Sequence, residues 1–135
     1  MKMFFIPVLA LSLNSAFADE CYRGQTITTV NSCESATDPL QKLDPASPDY
    51  RWMKDVQALS IIAAAMNARN CAKGGAVAKA QQECKCGILQ NQVFDENSER
   101  EKSERNEYLS NGDRIVHVTV EATLTAKCLV EIACP

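Results

Sequence analysis

Residues 114–135 read RIVHVTVEATLTAKCLVEIACP, and this stretch decides the fold. Every even position from Val116 onward is apolar: Val116, Val118, Val120, Ala122, Leu124, Ala126, Cys128, Val130, Ile132 and Cys134. The odd positions are mostly polar, among them His117, Thr119, Glu121, Thr123, Thr125, Lys127 and Glu131. Side chains alternate faces along a strand, so this register gives one dry face and one wet face. The spacing predicts a terminal strand over Arg114–Lys127 at least, anchoring an antiparallel sheet. A mean strand has about 5–6 residues, so a break near Lys127 to Leu129 is the alternative. In a single straight strand Cys128 and Cys134 lie about 20 Å apart and must bond to different partners.

Working outward from the strand, Asn111-Gly112 is a turn signal, either a helix C-cap or a tight hairpin turn. Before it, Asp95–Glu107 reads DENSEREKSERNE, a charge run too mixed in sign for a nucleic-acid or membrane patch. Ser98 with Glu101 suits a capping box for a surface helix. The run suits equally the polar outer part of a long hairpin. Its plain reading is a solvated protrusion, and its functional reading is a partner-recognition loop. Ile88–Phe94 reads as a strand, as does threonine-rich Gln25–Val30. Residues 34–47, with Pro39 and Pro45, form an irregular connector.

The dry face needs a cover, and Pro48–Ala72 supplies a helix. Ser47 can cap it and Pro48 suits its first turn. Trp52, Val56, Leu59, Ala63 and Met66 recur at spacings of three and four, widened by Met53 and Ile62. That stripe is read as the face packed on the sheet, with Trp52, Met53 and Met66 as core rather than as a ligand site. Gly74-Gly75 is read as its stop. Residues 76–86, AVAKAQQECKC, then form a second, shorter helix, ended by Gly87, in a helical hairpin with the first.

The N-terminus bears on compartment. Residues 1–18, MKMFFIPVLALSLNSAFA, have a basic Lys2, a short apolar stretch and a small-x-small end, a signal-peptide pattern with cleavage between Ala18 and Asp19. The mature chain 19–135 is then one domain, periplasmic or secreted, with no later membrane span. The whole chain carries 14 basic and 17 acidic residues, a net charge of −3. This mildly acidic balance excludes the electrostatic footprint of a nucleic-acid binder.

Seven cysteines, Cys21, Cys33, Cys71, Cys84, Cys86, Cys128 and Cys134, follow the leader. In an exported chain they read as a disulfide framework, and the odd one is free, capped or available for a covalent dimer. A local Cys21–Cys33 bridge, and Cys71 with Cys84 or Cys86 across the helical hairpin, are candidate pairings. Cys84-Lys85-Cys86, with His117, is the only thiol or soft-metal candidate, and it lacks the pair-and-pair spacing of a closed zinc site. A Cys–His nucleophile would need the unpaired cysteine beside His117, the single histidine. No hydrolase, phosphate-loop or calcium-loop motif occurs.

The sequence therefore predicts a small disulfide-stabilised α+β domain, its antiparallel sheet packed against a long helix and a shorter one. The expected function is an exported protein-binding module without catalytic activity or cofactor, inhibitor- or immunity-like. A thiol-redox or soft-metal protein using Cys84 and Cys86, and an envelope structural factor, are the alternatives.

Overall fold

A computed structural model describes residues 22–85, 87–95 and 102–131. The proposed leader, its Ala18–Asp19 cleavage site, the Ser98–Glu101 capping box and Cys21, Cys86 and Cys134 lie outside the described residues. Strand β1 (Tyr22–Ala36) leads to helix α1 (Tyr50–Glu83), then to β2 (Ile88–Phe94), β3 (Lys102–Tyr108) and β4 (Arg114–Glu131). The fold is small and α+β, with one four-stranded antiparallel sheet and one long helix.

The spine is β4, 18 residues long and unbroken at Lys127 to Leu129. Its even positions from Val116 to Cys128 are all buried, as the alternation requires. Along one edge it pairs with β1 in continuous register, from Tyr22 opposite Glu131 to Ala36 opposite His117. The predicted Gln25–Val30 strand is thus the middle of a 15-residue one. Along the other edge β4 pairs with β3 near its start and with β2 near its end.

The charge run divides. Its Lys102–Glu107 part is strand β3, not a surface helix or a free protrusion. Every β3 residue is exposed, so no hydrophobic pattern announces it. It forms because the backbone of β4 needs partners and a tight turn feeds the chain back. Leu109 N–H donates to Asp113 O at 2.8 Å and Gly112 N–H to Leu109 O at 3.0 Å. Gly112 sits at φ +89°, the left-handed position that closes such a loop.

The two predicted helices are one. Helix α1 runs 34 residues, straight through Gly74-Gly75, to Glu83. Glycine stops a helix only where the backbone must turn. Here it lets β1 approach instead: a side chain at position 75 would collide with that of Asn31. Asn31 Nδ2 donates to Ala72 O at 3.3 Å, and Thr29 Oγ1 donates to Ala76 O at 2.7 Å. Lys79 Nζ reaches Val30 O at 2.9 Å.

The packed stripe also differs from the expected one. Gln57, Ala64, Ala68, Ala72, Ala76 and Ala80 are the buried residues of α1. Ala64 and Ala68 meet Leu40, Val116, Val118 and Val120; Ala76 and Ala80 meet Ile27, Leu124, Ala126 and Cys128. The sheet contributes the larger branched side chains, so the helix side of the same space must be small. Two bridges staple the C-terminal half of α1, Cys33–Cys71 to β1 and Cys84–Cys128 to β4. The expected local Cys21–Cys33 and hairpin Cys71–Cys84 pairings fall away. On one continuous helix, Cys71 and Cys84 stand about 20 Å apart at 1.5 Å per residue.

Candidate interaction surface

The stripe expected in the core lies on the far side of α1. Leu59 is nine positions before Ala68, about two and a half turns, which sets the two on opposite faces. Relative exposure is 66% for Trp52, 65% for Leu59, 56% for Met66, 54% for Ile62 and 39% for Val56, so none of these belongs to the core. Met53 is half-buried and Ala63 exposed. The first half of α1 is therefore apolar on two opposite sides, and the sheet covers only one.

Chain geometry explains why, among the described residues, no strand or loop covers the start of this face. Ala64 packs beside Val116, near the start of β4. The 14 residues of helix before Ala64 rise about 21 Å, while only two residues of β4 precede Val116, about 7 Å. The helix start overhangs the sheet and rests on the connector, where Gln57 Nε2 donates to Gln41 O at 2.7 Å. Beside the exposed stripe, a groove of about 210 Å³ runs between Ile62, Met66 and Arg69 of α1 and Lys102 and Val120 of the sheet.

The other residues singled out from the sequence are dispersed. His117 sits on the open face of the sheet between two carboxylates. Its Nδ1 lies 3.0 Å from Glu34 Oε1, and its Nε2 lies 2.8 Å from Glu107 Oε2. A carboxylate only accepts, so the neutral ring can donate to one of them and the protonated ring to both. Arg105 Nη2 stands 3.6 Å from Glu34 Oε1 and completes a charged cluster joining β1, β4 and β3. The carboxylates take opposite ring nitrogens, and among the described residues no three acidic, cysteine or histidine side chains converge as metal ligands. Cys84 is bonded to Cys128, and all four cysteines among the described residues are paired. None of them is a thiol for His117 to activate. A cleft of about 430 Å³ at the turn end of the hairpin is lined by Gln41, Lys42, Gln57, Tyr108 and Arg114. No buried side-chain polar atom among the described residues lacks a partner.

The signal that could have located the exposed face is in the sequence. Alanines at 64, 68, 72, 76 and 80 form a second stripe at strict four-residue spacing, continuous through the glycine pair. Ranking stripes by hydrophobicity favours the bulky one, whereas packing against a branched sheet favours the small one. Among the described residues no helix is long and apolar enough to cross a membrane. No protein-family model, no curated protein and no solved structure matches this chain.

Proposed function

We propose that this chain is an exported, disulfide-stabilised interaction protein without catalytic activity, and that it docks through the apolar outer face of the first half of α1. The observation that carries this reading is the exposure of Trp52, Leu59, Ile62 and Met66 on one face of one element. Large apolar side chains gathered in a patch mark contact sites, whereas scattered ones do not. Export draws support from the leader-like residues 1–18 and from two intramolecular bridges, which suit an oxidising compartment. The thiol and soft-metal reading loses support, because Cys84 shares its sulfur with Cys128.

The test places a photo-crosslinking residue at position 59, on the proposed face, or at position 125, on the open face of the sheet. Each variant is irradiated in the compartment where the protein resides. A discrete adduct from position 59 and none from position 125 is expected. No adduct from either, or equal adducts from both, would overturn the reading.

A further inference from the structure

The exposed stripe has a regular spacing. Trp52, Val56, Leu59, Ala63, Met66 and Asn70 follow one another at intervals of four, three, four, three and four residues. That alternation is the seam of a coiled coil. Val56 and Ala63 take one class of seam position with Asn70, and Trp52, Leu59 and Met66 take the other. We infer that this face binds a second copy of the same chain, α1 against α1, antiparallel about a two-fold axis. The inference rests on the docking face proposed above and names its partner.

The seam is self-complementary in that arrangement. An antiparallel two-fold sets each position of the first class against one of the second. Val56 then faces the partner's Met66, Leu59 faces the partner's Ala63, and Trp52 faces the partner's Asn70. Each layer joins a large side chain to a smaller or more flexible one, which is what close packing requires. Ile62 falls at the axis and meets the partner's Ile62. The flanks agree in charge: Asp55 stands against the partner's Arg69, twice by symmetry. A parallel pair would set Asp55 against the partner's Ser60 and stack the partner's Trp52 on Trp52. A residue-by-residue match under one rotation is what an isologous contact demands.

The seam is also accessible. Its middle, at Leu59, lies opposite the sheet-facing Ala68, Met66 at one edge borders the groove with Val120, and the seam spans about 27 Å at 1.5 Å per residue. A lipid surface is the competing occupant of an apolar helix face. Three of the four charged residues flanking this stripe, Arg51, Lys54 and Arg69, are basic, so an anionic lipid surface is the rival occupant that the vesicle arm of the test below separates.

Sedimentation equilibrium of the disulfide-intact protein, from low micromolar to millimolar concentration, tests the pairing. The expected mass rises with concentration from one chain towards two. Leu59→Glu should remain a single chain with an unchanged circular-dichroism spectrum. Asp55→Arg and Arg69→Asp should each weaken pairing roughly tenfold, since each alters two symmetric contacts, and the double reversal should recover most of the loss. A single chain at every concentration overturns self-pairing. If position 59 then crosslinks to a different protein, the docking face stands and only the second copy falls; without any adduct, both fall. A dimer insensitive to Leu59→Glu, such as one made through a cysteine, also overturns it. So does binding to phosphatidylethanolamine–phosphatidylglycerol vesicles that Leu59→Glu abolishes.

Discussion

Neighbouring residues with the same name have different jobs here. An added methyl group at Gly74 meets open space, while at Gly75 it meets the Asn31 amide that donates to Ala72 O. Both positions are helical, so alanine gains about 0.5–1 kcal/mol of backbone entropy at either one. At Gly75 that gain is offset, because Asn31 must leave its carbonyl, at a cost of about 1 kcal/mol. Urea unfolding should therefore find Gly74→Ala more stable than the parent protein, and Gly75→Ala less stable than Gly74→Ala by at least about 1 kcal/mol. Equal gains would mean that β1 does not approach the helix at this point. Gly-Gly reads as punctuation in a sequence because most helices that meet it stop. Whether a strand lies close enough to need the missing side chain depends on tertiary packing, which local sequence does not carry. His117 was legible only as an exposed strand histidine. Its partners Glu34 and Glu107 come from two other strands, and the registers that bring them together follow from the fold.

At the scale of elements, β4 was legible and α1 was only partly so. A period of two assigns faces without ambiguity, so Val116 to Cys128 could be placed in the core from sequence. Helix α1 offers two apolar stripes, and its period alone does not say which one the sheet covers. The packing makes a prediction that separates them. Leu59→Glu, on the outer stripe, should change the stability of the dilute protein by no more than about 0.5 kcal/mol. Ala76→Leu, fully buried against Ile27 and Leu124, should cost about 1–3 kcal/mol through overpacking. Thermal melts followed by circular dichroism compare the two. A large loss for Leu59→Glu with a tolerated Ala76→Leu would reverse the helix on the sheet. Strand β3 was legible only as one of two uses of a charge run. Its existence comes from the ladder it makes with Val116, Val118 and Val120, not from its own residues.

At the scale of the molecule, the bridges and the docking face occupy different halves of α1. Cys33–Cys71 and Cys84–Cys128 each close a loop of some forty residues, and each restricts the unfolded chain by about 4 kcal/mol on a chain-entropy estimate. Both hold the C-terminal half of the helix to the sheet. The N-terminal half leans on the connector and keeps its apolar side outward. That division suits a module whose fold is secured at one end and whose contacts are made at the other. The number of cysteines and the α+β class were readable from sequence, but the pairing was not. It depends on α1 being one continuous helix, which separates Cys71 from Cys84 and turns each towards a different strand. The outward direction of the bulky stripe of α1 can be read directly from Trp52, the single tryptophan of the chain. Its fluorescence can be followed in dilute native protein, with acrylamide as quencher, and again after unfolding. With Trp52 facing outward, the native emission maximum should lie close to that of the unfolded chain, with ready quenching in both states. A blue-shifted native emission that resists acrylamide in a single chain, and moves to the red on unfolding, would place Trp52 in the core and the bulky stripe against the sheet.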